Sequence, residues 1–140
     1  HDLVEARAEL TMQLHLAFSK MAKPVVTAVQ GAAMGGGAGL AIAGDLAVMA
    51  EGAKIGYPET RHGIVAAIVM ANLSRQVGRK AAFELVALGE PIGARQALAL
   101  GMVNRVVPDA QLMDEALALA QKLAAVKRPA MAATKQLFHE

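Results

Sequence analysis

The most constraining feature of the sequence is an uncharged run of 21 residues between positions 24 and 44. A run of this length could cross a lipid bilayer. However, six of its residues are glycine, and Pro24, Thr27 and Gln30 add polarity or a break. A buried strand, a tight glycine turn and a core helix explain this composition better than a membrane span does. We therefore expect no membrane-spanning segment here.

The composition excludes several other classes of protein. With 55% hydrophobic and 19% charged residues, the chain of 140 residues is predicted to be ordered. It has no cysteine, so disulfides, a thiolate nucleophile and a cysteine-based zinc site are excluded. Only 3% of the residues are aromatic, too few for a surface that stacks single-stranded nucleic acid. The formal charge of +2 and the pI near 9.2 are weak support for a polyanionic partner, and we expect none.

Short apolar segments alternate with amphipathic ones, which is typical of an α/β fold. Strands are predicted at residues 25–29, 46–50, 54–56 and 102–107. Helices are predicted at residues 5–21, 40–44, 64–77, 80–88, 94–100, 110–125 and 129–138. Gly89 is expected to cap the end of the helix before it, and Asp109 the start of the helix after it.

Three consecutive glycines, Gly35, Gly36 and Gly37, lie between a predicted strand and an apolar helix. Such a turn exposes backbone N–H groups beside the positive end of a helix, where they can bind an anion or a developing oxyanion. The phosphate-loop motif is absent because no Gly-Lys-Ser/Thr follows. The dinucleotide motif fails because Leu40 or Ile42 stands where the last glycine should be. A tight crossing that merely needs small residues is an equally good explanation.

Glu59 is the carboxylate of most chemical interest. It follows Pro58 at the end of a predicted strand and precedes an apolar segment, and a carboxylate held near apolar surface suits proton transfer near neutral pH. From spacing alone, a surface acid in a loop is the more common case. His62 is the second candidate in this region, although the four histidines show no metal-ligand spacing.

The order of these features resembles the crotonase (enoyl-CoA hydratase/isomerase) superfamily. The similar segments are residues 23–31, residues 33–37, Asp45 and residues 56–59. Residues 73–78 resemble the family's L-x-R-x-x-G segment, and residues 93–97 and 100–108 resemble its A-x-x-A-x-x-x-G-L-V-x-x-V stretch. Each motif is weak alone, but together they run over nearly the whole chain in a consistent register.

The resemblance implies a crotonase-like spiral of β-β-α units, incomplete at both ends. Residues 1–140 would form one partial domain with an N-terminal helix, a glycine-turn active-site core at residues 24–78 and C-terminal helices at residues 80–138. It implies an acyl-CoA substrate, because the family binds coenzyme A thioesters, and it implies no metal, nicotinamide or flavin. It further implies a homotrimer or hexamer. The charged opening residues contain no apolar signal core, so we expect a cytoplasmic protein.

The resemblance also assigns roles to residues. The Gly36 N–H would bind the thioester oxygen, with a second donor upstream in a segment that this sequence does not include, and Glu59 would transfer the proton. Substrate contacts are implied at Met34, Gly35, Gly39 and Ala67.

Two departures from the hydratase pattern bear on the chemistry. Gly39 stands where hydratases of the family have a first glutamate, and Ala66 and Ala67 stand where they have Pro-Gly. Both departures favour double-bond isomerisation over hydration. The alternative is a catalytically silent protein of the same fold that serves binding or assembly.

Overall fold

The computed structural model describes residues 2–63 and 67–139, with backbone alone for residues 67–69. In chain order the elements are α1 (Asp2–Lys20), β1 (Val26–Val29), β2 (Ala32–Met34), α2 (Gly36–Ala43), β3 (Leu46–Ala50), β4 (Lys54–Gly56), a 3₁₀ helix (Pro58–His62), α3 (Ala67–Val77), α4 (Arg79–Leu88), β5 (Ile92–Gly93), α5 (Ala94–Leu100), β6 (Arg105–Val107), a second 3₁₀ helix (Asp109–Gln111), α6 (Leu112–Ala124) and α7 (Arg128–Phe138).

The strands form two three-stranded sheets, ordered β1-β3-β6 and β2-β4-β5. All pairs are parallel except β4 with β5. Strands β1 to β4 alternate between the two sheets, so that β1 and β2 lead into α2, and β3 and β4 lead through a 3₁₀ helix towards α3, whereas β5 joins the same sheet as β4. This alternation is the β-β-α unit that the resemblance implied, and the predicted α/β class is confirmed.

The central strand β3 explains where the core forms. Its last four residues, 47–50, are all buried, as expected for a parallel strand that is covered on both faces. Helix α6 packs across β3 and β1 and buries Leu112, Ala116 and Leu119, which lie four and three residues apart and so share one face. Tyr57, Met49 and Ile55 are the bulkiest fully buried side chains.

The sequence-based elements needed several corrections. Strand β2 was not predicted, because Ala-Ala-Met lacks the β-branched residues that indicate a strand. Helix α2 begins at Gly36 rather than at position 40, and its glycine-rich first turn is compensated by close packing, since Ala38 is fully buried. The two-residue strand β5 was also missed. Of the strand expected at residues 102–107, only the second half is a strand in the structure, namely β6.

Asp109 is not the cap that we expected. Its Oδ1 accepts a hydrogen bond of 2.9 Å from the Gly52 N–H, and Asp109 itself begins a 3₁₀ helix that precedes α6, which starts at Leu112. The carboxylate therefore holds the turn after β3. Gly89 does cap α4, with a left-handed φ of 66° and its N–H donating to the Leu85 carbonyl.

None of the helices within residues 2–63 and 67–139 combines the length and the apolar content that crossing a membrane requires.

A buried lysine on α7 connects this helix by hydrogen bonds to the end of α1 and the segment that follows it. The Lys135 side chain on α7 is 4% exposed, and its Nζ lies 3.0 Å from Asp45 Oδ2. It also donates to the carbonyls of Phe18 and Lys23 at 2.5 and 2.7 Å. Asp45 Oδ2 in turn accepts a 2.7 Å hydrogen bond from the Val25 N–H. All three protons of the ammonium thus have acceptors, as a buried cation requires.

We expect Lys135→Met to lower the free energy of unfolding by about 3–5 kcal/mol, because Asp45 and two carbonyls lose their buried partner. Denaturant unfolding of the purified protein measures this loss. The matched control is Arg95→Met, which breaks the Arg95–Glu51 pair at the surface, where the two side chains are 75% and 49% exposed. That change should cost about 0–1 kcal/mol. Equal losses in the two variants would contradict a special role for Lys135.

Candidate active site

The candidate site forms where two neighbouring parallel strands end. In the register of β2 with β4, Met34 is opposite Gly56, and the Gly35 N–H donates a 2.9 Å hydrogen bond to the Gly56 carbonyl. After β2 the chain turns at Gly35 into α2, and after β4 it enters the 3₁₀ helix that carries Glu59. The carboxyl ends of parallel strands lie at the same edge of a sheet, so these two segments meet there.

The Glu59 carboxylate lies against the glycine turn. A methyl group added at Gly35 would be only 2.8 Å from Glu59 Oε1, so any larger residue at position 35 would force the carboxylate to move. Gly35 also has φ 58° and ψ −118°, a conformation that side chains disfavour. Glu59 Oε2 is buried and has no hydrogen-bond partner among the described residues. The half-buried Glu59 therefore faces the turn rather than bulk water, whereas spacing alone had made a surface acid in a loop the more common case.

The amides of the glycine turn differ in availability. The Gly35 N–H is used by Gly56, and the Gly39 N–H donates to the Gly35 carbonyl at 3.0 Å. The Gly36 N–H is the first of α2, where helix geometry supplies no acceptor, and it lies at the positive end of the helix. The donor that the resemblance implied is thus free of these internal hydrogen bonds.

His15 on α1 contacts this helix, a feature that the sequence did not reveal. Its Nε2 lies 3.1 Å from the Gly36 carbonyl oxygen, and its Nδ1 lies 2.7 Å from that of Thr11. A neutral imidazole can donate to only one of these two carbonyls. No spacing in the sequence indicates the contact, because it depends on how α1 packs against α2.

Met34, at the end of β2, lies against Gly56, which Pro91 also approaches. A methyl group added at Gly56 would be 2.9 Å from Met34 Sδ and 3.1 Å from the Pro91 Cα. Met34 therefore lies beside the turn, and the substrate contact that the resemblance implied for it stays a prediction.

Gly39 is buried inside α2, and it lines a groove of about 230 Å³ together with His15, Asn72 and Arg75 among others. A second groove, of about 340 Å³, runs beside Gly37 and β1. Glu59 lines neither of these grooves. Ala67 is the first residue of α3, but its side chain, like the whole of Ala66, lies outside the described residues.

Tyr57 is a second polar group near Glu59. It is completely buried, and its hydroxyl has no hydrogen-bond partner within the part of the chain that the structure describes. Burial raises the pKa of the Tyr57 phenol far above its usual range, and the negative charge of Glu59 raises it further. The hydroxyl thus stays neutral and can donate a hydrogen bond. An aromatic residue two positions before a candidate acid was the only signal in the sequence.

The second candidate from the sequence, His62, is not part of this site. His62 is exposed at the end of the first 3₁₀ helix. Within residues 2–63 and 67–139, no three His, Cys, Asp or Glu side chains are grouped so that they could hold a metal ion.

Comparisons with a family model, with curated proteins and with solved structures all point to the same family. The family model described as enoyl-CoA hydratase/isomerase matches residues 5–140. A Thermus thermophilus protein, assigned by its name to the enoyl-CoA hydratases, is 49% identical over 116 residues, which are 83% of this chain and 46% of that protein.

Two solved structures extend the similarity to the fold. An enoyl-CoA hydratase from Bacillus anthracis superposes with a TM-score of 0.96 at 29% identity, over 100% of this chain and 55% of that one. An enoyl-CoA hydratase from Mycobacterium smegmatis gives a TM-score of 0.94 at 36% identity, over 99% and 54%. The chain thus spans about half the length of the relatives that it matches. With a family model covering nearly all of its residues and a fold superposing throughout, the chain belongs to the enoyl-CoA hydratase/isomerase family.

Proposed function

We propose that the protein processes an acyl-CoA thioester, with the Gly36 N–H binding the thioester oxygen and Glu59 transferring a proton. One observation carries the proposal: the Glu59 carboxylate lies against Gly35 with Oε2 buried and without a hydrogen-bond partner among the described residues. An unpartnered carboxylate oxygen is free to accept a proton. Glu59 lies against Gly35, and the amide that we propose to hold the charge formed when a proton leaves belongs to the next residue, Gly36.

The proposed reaction is a double-bond isomerisation. Glu59 removes a proton from C2 of a 3-enoyl thioester, and the electron pair of that C–H bond moves to the thioester oxygen to give a dienolate. The Gly36 N–H and the positive end of α2 stabilise this negative charge. Glu59 then returns the proton to C4, which moves the double bond to the 2-position. No electron is gained or lost, so the step requires no nicotinamide or flavin, and we propose that the Gly36 N–H stabilises the enolate oxygen without a metal.

Gly39 supports isomerisation over hydration. Adding water to a 2-enoyl thioester requires a group that positions and activates the water, and Gly39 has no side chain to do so. Loss of one positioned acid-base group typically lowers a rate by about 10²–10⁴-fold. We therefore propose that hydration is slow in this protein and that isomerisation is its main reaction.

We also propose that the protein assembles into a homotrimer or hexamer. Large apolar side chains are exposed on several elements, among them Phe83 at 68%, Leu88 at 54% and Met113 at 58%. Exposed apolar surface of this kind favours association.

The second candidate function is a silent binding protein that holds an acyl-CoA without converting it. Gly39 is the observation that favours it, because it removes one of the two glutamates of a hydratase. Thioester binding without turnover on a broad panel of acyl-CoA substrates would support this candidate. Turnover of any of them would exclude it.

We expect Glu59→Gln to lower turnover of the preferred substrate by at least about 10²-fold, because an amide cannot accept the proton. Turnover should be assayed with a 3-enoyl-CoA and a 2-enoyl-CoA, and the 3-enoyl substrate should be the faster one. Glu51→Gln is the matched control, since Glu51 is half-exposed and paired with Arg95 at the surface. It should leave turnover unchanged. Full activity in Glu59→Gln would show that our assignment of this residue is wrong.

Gly35→Ala should abolish turnover and also lower the thermal stability of the protein. The new methyl group would displace the Glu59 carboxylate, and the positive φ adds a backbone strain of about 1–3 kcal/mol. The control is Gly31→Ala, since Gly31 has a similar φ of 63° but no atom within 4 Å of the added methyl group. Both variants should melt at a lower temperature, whereas only Gly35→Ala should lose turnover per folded molecule. Equal turnover in the two folded variants would disprove the contact.

Light scattering of the purified protein tests the assembly. The expected mass is three or six times that of one chain, and a monodisperse monomer would contradict the proposal.

A further inference from the structure

The segment that carries Glu59 is stabilised by few hydrogen bonds within itself. It is a 3₁₀ helix of five residues, Pro58–His62, and such short elements have few and poorly aligned internal hydrogen bonds. One turn closes it, in which the Gly63 N–H donates to the Thr60 carbonyl at 3.1 Å. The position of the Glu59 carboxylate must therefore be held by contacts with other elements.

Thr60, the residue after Glu59, makes the main contact of this kind. Its hydroxyl donates a hydrogen bond of 2.8 Å to the Val86 carbonyl and lies 3.3 Å from that of Ala87. Both carbonyls belong to the last turn of α4, where helix geometry leaves carbonyls without partners. The hydroxyl thus satisfies the end of α4 and at the same time fixes the 3₁₀ helix to it.

Helix α4, which accepts this hydrogen bond, is itself anchored in the core. It buries Ala82, Leu85 and Val86, and Gly89 caps its end. Arg61 adds a second contact, because its stem packs over Gly89, where an added methyl group would be 3.1 Å from Arg61 Cγ. Its Nε also donates a longer hydrogen bond, of 3.4 Å, to the Leu88 carbonyl. The two residues that follow Glu59 are thus both bound to the same helix end.

We infer that Thr60 is a positioning residue, which holds the Glu59 carboxylate against the glycine turn by anchoring its 3₁₀ helix to the end of α4. The inference rests on the proposed role of Glu59 as the base. Misplacement of a reacting group by about 1 Å can cost about 10²-fold in rate, so loss of the anchor should be visible in kcat. Thr60 itself bonds to backbone carbonyls, so the affinity for substrate should change little.

The test compares Thr60→Val, which keeps the shape but removes the hydroxyl, with Thr60→Ser, which keeps the hydroxyl. We expect Thr60→Val to lower kcat by about 10- to 100-fold. Its KM should stay within about twofold of the original value, and Thr60→Ser should recover most of kcat. Thr134→Val is the control, since Thr134 makes a similar 2.7 Å hydrogen bond to a helix carbonyl, that of Ala130, far along the chain. It should leave kcat unchanged.

Hydrogen exchange gives a readout that does not depend on activity. In Thr60→Val, amides of residues 59–63 should exchange at least about tenfold faster than in the original protein, and Thr134→Val should not change them. Unchanged exchange, unchanged kcat in Thr60→Val, or an equal loss of kcat in Thr60→Val and Thr60→Ser would each overturn the inference.

Glu59→Gln, measured beside these variants, separates the two hypotheses. If it keeps full turnover, the proposed function fails, and with it the part of the inference that concerns the base. If it is inactive while Thr60→Val is fully active, the inference alone fails.

Discussion

The parallel pairing of β2 with β4 is the constraint on which the candidate site depends. The hydrogen bond from Gly35 to Gly56 closes this pairing at the point where both strands end. A shift of one residue in the register would turn the side chains of β4 to the opposite face and carry Glu59 away from the turn. The site is therefore a product of strand register, and neither the glycine turn nor the acid would form it alone.

The helix that starts at this turn is held near both of its ends by distant parts of the chain. At its start, His15 of α1 contacts the Gly36 carbonyl. Just past its end, Asp45 binds Lys135 of α7 and the Val25 N–H. A helix of eight residues with three glycines has little intrinsic stability, so these tertiary contacts compensate for its weak propensity. These contacts hold in place the start of the helix that carries the Gly36 N–H.

Much of the fold could be predicted from apolar runs and from glycine and proline breaks. Strands β1, β3 and β4 and helices α4, α5 and α7 lie within one or two residues of their predicted positions. Strand β2 was missed because Ala-Ala-Met has no β-branched residue to indicate a strand. The buried role of Lys135 was missed because a lysine in a terminal helix normally faces water.

For the site, the order of motifs predicted that Glu59 and the glycine turn belong together, and the structure places them in contact. Their roles in catalysis stay predictions. His15 and Thr60 could not be found in this way, because their contacts join elements that are distant in sequence, α1 with α2 and the 3₁₀ helix with α4. Only the packing of those elements brings the partners together.

The close approach of Met34, Gly56 and Pro91 has a consequence for how the family can diversify. These three positions share one small volume, because the bare backbone of Gly56 is what admits the thioether and the proline ring. A bulkier residue at position 56 would require both that the side chain at position 34 moves or shortens and that the loop at position 91 shifts. Substitutions at the three positions should therefore be correlated. A change of residue 34 that alters the surroundings of the glycine turn would be accompanied by a change in a loop more than fifty residues away in sequence.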